Sequence, residues 1–401
     1  MTLPPPPRQM AGNIPNLFLS PSARKRRARL HPWIFSNEIE HSLEVEPGSL
    51  VHARFRDGKE CWTAYYNPRS LIAARVLAAG EIFIDTAWME ERLRAALAHR
   101  ESLRLNREAV RLVHGEADGL PGLIVDRYGP VVVLQSLTAG MDRLLPMVAE
   151  VLDSLLAPDC LYARCDSEAR SLEGIDLFRR ELSGALPGPV TVDCHGIRFE
   201  VDVAEGQKTG LFLDQMENIQ ALGWFAEGAS VLDACCYTGA FAVTLARLGA
   251  ASVEAFDSGE AAILQARRNA ELNAVRQARF SRANVFERLP ELVRDRREFD
   301  IVNLDPPAFA KRKKDVENAL RGYRELNRRA FRLVRGGGLL CTSACSHNVT
   351  EAALLDMLVL AARDAGRSAK LIEIRGQAAD HPPLLSAPET RYLTCVVLRV
   401  G

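Results

Sequence analysis

Apolar and polar residues alternate in short runs near the start of the chain: "SLVHARFRD", "CWTAYYN" and "IAARVL", separated by Gly58, Pro68 and Arg69. A period of two broken by turn residues predicts short strands. We therefore expect a small β-barrel-like domain over 15–85, in which Trp33 and Phe35 of "LHPWIFSNEIE" open a strand-like pattern. Residues 86–108 become helical and charged. "GEADGLPGLIVDRYGPVVVLQ" then gives a turn-rich loop and two β-rich runs joined at Gly129-Pro130, the signature of a hairpin. The spacing predicts a central α+β domain over 86–190, closed by the Gly- and Pro-rich "LSGALPGPVTV".

From residue 191 the pattern changes to strands alternating with helices. "SVLDACCYTGAFAVTLARLGA" reads as a buried strand, a small-residue turn and an apolar helix, and "ASVEAFDSGEAAILQARRNAELN" repeats the theme. "ARFSRANVFERL" supplies a third strand end, "FDIVNLDPPAFAKRKKD" a fourth, and Gly338 to Thr342 a fifth, with a helix from about Thr350. Such alternation predicts a parallel, doubly wound sheet with its ligand at the C-terminal ends of the strands.

Composition narrows the class. With 401 residues, 47% hydrophobic and 25% charged, the chain has the make-up of an ordinary globular protein long enough for two or three cores. No stretch has signal-peptide or membrane-spanning character, which predicts a cytoplasmic protein without membrane partners. Nine cysteines, none in a C-x-x-C pair, argue against a disulfide framework and a structural metal site. The formal net charge is zero, so nucleic-acid binding would have to rest on local patches. "ARKRRAR", containing Lys25 and Arg26, is one such patch, and Lys311 to Lys314 is another. Either also reads as a solvated surface.

The strand ends carry the chemistry. Asp257 lies 24 positions after Asp233, where an acid commonly holds ribose hydroxyls, so an adenosine-type ligand is implied. The first turn has Gly239 alone where a dinucleotide site shows G-x-G-x-x-G, which counts against NAD. S-adenosyl-L-methionine fits: it carries an adenosine but no phosphate. Asn284, at the third strand end, would read the adenine edge by accepting and donating. Asp305-Pro306-Pro307 is a rigid turn that would turn a carboxylate and backbone carbonyls towards the methyl donor.

Two chemistries suit that turn. Exocyclic-amine methylation would use the acid and a proline carbonyl, and an aromatic would follow the prolines directly; here Ala308 precedes Phe309. Carbon methylation of a pyrimidine would need a thiolate to add to C6 before C5 can accept a methyl group. Cys345, in "TSACSHN" after the fifth strand, suits that role, and Asp305 would hold the N3/N4 edge of the cytosine. Cys345 can also be read as a small buried hydrophobe, as can Cys341, Cys160, Cys165, Cys235 and Cys236.

The ordered set "QKTGLFLDQMENI", "LDACCYTGAFAV", "VEAFDSGEAAI", "LDPPAFAK", "GYRELN", "SACSHN" and "QAADHP" resembles the RlmI-type family of ribosomal RNA cytosine-5 methyltransferases. The resemblance implies an N-terminal PUA domain over 15–85, a small central α+β domain over 86–190, and a Rossmann-like class I methyltransferase domain over 191–401. It also implies S-adenosyl-L-methionine as cofactor, a cytosine of large-subunit ribosomal RNA as substrate, and a homodimer. Carried over by position, Lys208, Thr209, Gly210, Asp214 and Gln215 fall in a segment over the cofactor pocket. Asp233, Tyr237, Thr238 and Gly239 form the first turn, Asp257 is the ribose acid, Asp305, Pro306 and Pro307 form the base-edge site, and Cys345 is the nucleophile. Phe309 and Tyr323 are candidate stacking platforms, and Lys311 and Arg312 would hold flanking phosphates. Met216, Asn284 and Ala344 depart from the family's usual arginine, aspartate and cysteine. His347 and His381 read as loop residues ahead of proton carriers. The competing readings are an exocyclic-amine RNA methyltransferase, which would not need Cys345, and a non-catalytic RNA-binding assembly factor.

Overall fold

A computed structural model describes residues 14–58, 60–309, 315–346 and 348–401. Lys311, Arg312 and His347, singled out above, lie outside the described residues. The chain forms two compact units. The first comprises residues 1–192, 201–210 and 380–390, and the second comprises 193–200, 211–379 and 391–401.

The first unit contains two five-stranded sheets. Strands β1 (Asn16–Phe18), β2 (Trp33–Ile34), β3 (Ser49–Arg54), β4 (Cys61–Tyr66) and β5 (Ala74–Ala79) form one, in the order β1-β3-β4-β5-β2. The three alternating runs of the sequence are β3, β4 and β5. Their inward positions, among them Val51, Ala53, Trp62 and Ala64, close a small core with Leu17 and Ile34. Helix α1 (Arg24–Arg27) is the basic run. Residues 86–184 build the second sheet: α2 (Thr86–Ser102), β6 (Ala109–His114), β7 (Leu123–Tyr128), β8 (Val131–Ser136), α3 (Ala139–Leu156), β9 (Cys160–Cys165), α4 (Glu168–Glu173) and β10 (Phe178–Gly184). The strand order is β10-β9-β8-β7-β6, and β7 and β8 form the expected hairpin across Gly129-Pro130, with Tyr128 opposite Val131.

Residues 201–210 and 380–390 group with this first unit, although the sequence reading placed them in the C-terminal domain. Buried polar pairing holds them there. The Thr209 hydroxyl donates to Asp126 at 2.6 Å and lies 2.8 Å from the Tyr128 hydroxyl. Asp380 meets the Arg107 guanidinium at 2.8 Å and accepts the Arg111 backbone N–H at 2.9 Å.

A hairpin of β11 (Val190–Cys194) and β12 (Ile197–Val201) leads into the second unit. There α5 (Met216–Gly223), β13 (Ser230–Ala234), α6 (Ala240–Arg247), β14 (Ser252–Asp257), α7 (Glu260–Leu272), β15 (Ala278–Arg282), α8 (Val285–Arg294), β16 (Phe299–Leu304), α9 (Val316–Leu333), β17 (Val334–Ala344), α10 (Glu351–Ala365), β18 (Ala369–Arg375) and β19 (Thr394–Val400) follow. The seven strands are ordered β15-β14-β13-β16-β17-β19-β18. β13 to β17 are parallel, whereas β19 runs antiparallel to both its neighbours. The chain winds outwards from β13 to β15 and then returns to its other side, so the strand order reverses between β13 and β16. Ligands bind at such a reversal, beyond the carboxyl ends of the strands. β17 runs from Val334 to Ala344, longer than the predicted Gly338–Thr342. Gly338 permits the close pairing: a β-carbon there would sit 2.7 Å from the Asp300 carbonyl oxygen.

Candidate active site

The β13–α6 turn is bent more sharply than its single glycine suggests. Cys235, Tyr237 and Gly239 all have positive φ, at 66°, 48° and 80°, values that strain non-glycine residues. Asp233 and Asp257 hold the turn. Fully buried Asp233 accepts the Asn303 amide at 2.8 Å and the Ala242 backbone N–H at 3.1 Å. Half-buried Asp257 accepts the backbone N–H groups of Tyr237 at 3.0 Å and Gly259 at 2.9 Å. The Asn269 amide donates to the Thr238 carbonyl at 3.0 Å. Asn284 is exposed and caps α8, its side-chain oxygen accepting the Phe286 N–H at 2.9 Å, so the acceptor half of its expected adenine pairing is already engaged.

Next to this turn, the ends of β16 and β17 bring Asp305 and Cys345 together. The Cys345 thiol is half-buried and lies 3.9 Å from the Pro306 carbonyl oxygen, within reach of a weak S–H···O bond. Pro306 is buried and Pro307 exposed. Gln215 donates its amide to Asp305 Oδ2 at 2.9 Å and to Ser343 Oγ at 3.2 Å. Asn218 donates to Gln215 Oε1 at 2.7 Å and accepts from Arg375 Nε at 2.9 Å. This chain fixes which end of the Gln215 amide faces Asp305, and so fixes the carboxylate. Asp214, in the same segment, accepts the Tyr392 hydroxyl at 2.7 Å.

Tyr323 is fully buried, and its phenol neighbours Cys345, Ser346 and the Phe309 backbone; burial pushes its pKa up. It is therefore a wall of the site and not a stacking platform. Phe309 packs on it at 4.8 Å between centroids, and Phe286, 45% exposed, packs on Phe309 at 6.0 Å. Phe286, which the sequence reading passed over, is the most exposed aromatic of this row. Gln215 was anticipated as a cofactor contact, but its role towards Asp305, like those of Asn218, Ser343 and Asn303, was not: these side chains meet across long sequence separations.

Other candidates fall in the first unit. Thr209 is buried against Asp126 and Tyr128, with Lys208 and Gly210 flanking it. His381 is buried, 2.7 Å from Asp380 and 5.3 Å from the His114 ring, which fits the structural reading of that residue. The basic run does not present all its charges to solvent. Arg24 pairs with Asp57 and covers Phe55, Arg26 pairs with Glu38 and covers Phe35, and Arg27 is buried over Trp62. Burial brings Arg27 down to about 10. Lys25 and Arg29 remain exposed.

Residues 179–388 match the S-adenosylmethionine-dependent methyltransferase family, and residues 17–79 match a PUA-like domain. A protein of Shewanella amazonensis named ribosomal RNA large subunit methyltransferase I is 37% identical, over 95% of this chain and 98% of its own. The protein of that name from Erwinia tasmaniensis is 36% identical, over 96% and 99%. The chain belongs to this methyltransferase family. Among solved structures, a candidate SAM-dependent methyltransferase from Streptococcus mutans superposes with a TM-score of 0.84 at 18% identity, covering 96% of this chain and all of its own. A methyltransferase chain solved in complex with SAH gives the same score and coverage. At that identity the likeness speaks for the fold alone.

The cofactor of the methyltransferase is S-adenosyl-L-methionine, and the charges of the crevice suit it. Asp233 is pushed up to about 7, first by burial and further by the nearby carboxylates of Asp305 and Asp257, against the hydrogen bonds of Asn303 and Ala242. Three acids at one sheet edge favour a cationic guest and disfavour a pyrophosphate. A ligand with a sulfonium and an ammonium group is such a guest. Among the described residues no cluster of histidine, cysteine and acidic groups could hold a metal, and no helix is long and apolar enough to cross a membrane.

Proposed function

We propose that the enzyme methylates C5 of a cytosine in large-subunit ribosomal RNA, with Cys345 as nucleophile. The observation that carries this reading is the 3.9 Å approach of the Cys345 sulfur to Pro306 in the Asp305-Pro306-Pro307 turn. The substrate class comes from the relatives, which are named for the large-subunit RNA. The PUA-like match at residues 17–79 supports an RNA partner.

The bound S-adenosylmethionine would supply an electrophilic methyl group. Asp257 would hold its ribose, and the Tyr237–Gly239 turn and Gln215 segment would surround the remainder. Cytosine C5 is too weak a nucleophile to react unaided. In this reading Asp305, steadied by Gln215, holds the N4 amino group and a proton on N3, drawing electrons from C6. Cys345 loses its proton to solvent and its sulfur pair forms a bond to C6, while the C5=C6 pair moves towards C4 and N3. C5 is then enamine-like and would bond to the methyl carbon as the methyl–sulfonium bond breaks, its electron pair staying on the sulfur of the departing S-adenosylhomocysteine. Removal of the C5 proton returns its electron pair to the C5=C6 bond, breaks the C6–S bond and regenerates the thiolate. The base must leave its helix first, since C6 of a stacked, paired cytosine is covered. Phe286 offers an accessible face for it.

The test is nucleoside mass spectrometry of large-subunit RNA incubated with enzyme and cofactor. The expected product is 5-methylcytidine, lost by about 10⁴-fold or more in Cys345→Ala while cofactor affinity by calorimetry is unchanged. Methylation that survives Cys345→Ala, or a product methylated on nitrogen, would overturn the proposal.

A further inference from the structure

The first unit holds a cavity of about 480 Å³ between the end of α2, the loop to β6 and the end of α3. Its charged lining is Arg94, Arg100, Arg104, Arg107, Arg127 and Glu101. Two of these arginines are internally balanced, Arg100 by Asp118 and Arg107 by Asp380, and Arg94 meets Glu90 on the exposed face of α2. Arg104 and Arg127 are exposed and have neither an ion-pair nor a side-chain hydrogen-bond partner among the described residues. Arg104 also has a φ of 49° just past the C-cap of α2, a position that favours glycine or asparagine. The lining also includes Leu105, Leu112, Leu155 and Leu156.

Unbalanced, exposed guanidinium groups lining a concave pocket that also has leucine walls concentrate field lines and draw in an anion that also has a flat apolar part. Guanidinium groups bind phosphate oxygens by paired N–H donors and stack on bases. We infer that this cavity is a second RNA-binding site, taking one unpaired nucleotide of the substrate with its base against the leucines and its phosphates on Arg104 and Arg127. The inference rests on the proposed RNA substrate, and it assigns to the central sheet a role in holding that substrate. A free nucleotide shares the same chemistry, and the test separates the two.

The full-length enzyme is titrated into fluorescent single-stranded fragments of large-subunit RNA between 50 and 200 mM salt, and methylation of the same fragments is followed in parallel. Two variants are compared: Arg104→Glu with Arg127→Glu, and Ala98→Trp, which fills the cavity from the exposed face of α2 without altering charge. The double variant is expected to bind RNA at least ~10-fold more weakly, with the log–log salt slope shallower by about 1.4 for two lost phosphate contacts. Its KM for RNA should rise while kcat at saturating RNA and affinity for S-adenosylmethionine stay as in wild type. Ala98→Trp should weaken RNA binding with the salt slope unchanged. Wild-type RNA affinity in both variants, beside normal wild-type methylation, overturns this site and leaves the proposed function standing. Failure of the wild type to methylate any RNA fragment counts instead against that function. Adenosine monophosphate binding that both variants abolish, with RNA affinity intact, assigns the cavity to a free nucleotide and overturns the inference.

Discussion

Two buried aspartates, one in each unit, have opposite electrostatic fates. Burial raises the Asp380 carboxyl, but the His381 imidazole, the Arg107 guanidinium and the Arg111 N–H outweigh it and hold the group at about 2. Asp233 is equally enclosed, but its neighbours are an amide, a backbone N–H and two more carboxylates, and it stands near 7. A charge matched on every side is scaffolding. One left near its own kind is unfinished until a cation arrives, which is why shifted carboxyls mark functional sites.

The contrast can be broken in four ways. Asp380→Ala should cost about 3–5 kcal/mol of unfolding free energy, since it removes a buried carboxylate that pairs with Arg107 and His381 and accepts the Arg111 N–H; urea denaturation giving a loss under about 1 kcal/mol would show that the pairing is not structural. Asp305→Asn, which keeps an acceptor for Gln215, should lower kcat about 10²–10³-fold with little change in Tm; an unfolded or fully active variant would remove the distinction between the units. For Asp233 the sign follows from its raised value. The neutral carboxyl stabilises the ligand-free fold fully below the ordinary aspartate range, and that contribution is lost as pH rises through about 7. A cationic ligand favours the ionised form, so S-adenosylmethionine should bind more tightly as pH approaches 7 and should release a proton below it. Calorimetry in buffers of different ionisation enthalpy checks this, and Asp233→Ala should abolish the proton release. Gln215→Ala should cost about 1 kcal/mol in kcat/KM and nothing further once Asp305 is already Ala, a double-mutant cycle that isolates the bond between them.

The parallel strands were legible because short, mostly apolar runs alternate with helical stretches, and Asp233, Asp257, Asp305 and Cys345 could be placed at one sheet edge from that pattern. The side chains that orient them could not. Gln215 meets residues 90 and 128 positions away, and no local period encodes such a meeting. Phe286 reads as an ordinary apolar residue of a helix start, yet the helix leaves it at the surface. The basic run near the N-terminus misleads in the opposite way, because charge density implies solvent whereas the guanidinium groups of Arg24, Arg26 and Arg27 each lie over an aromatic ring and Arg27 is buried. The pairing of β18 and β19 also escaped the alternating pattern, since β18 is an edge strand exposed over most of its length and lacks a buried face to betray it.

The β13–α6 turn sets how freely its sequence can drift. Cys235 and Tyr237 sit in a backbone conformation that asparagine or glycine adopts more easily, so exchanges to those residues relax the loop. Gly239 has no such latitude: besides its left-handed backbone, a β-carbon would press to 3.0 Å of the Ala266 β-carbon and 3.1 Å of the Phe280 ring. A saturation library across this loop would tolerate small or flexible letters at two sites and a single letter at the third.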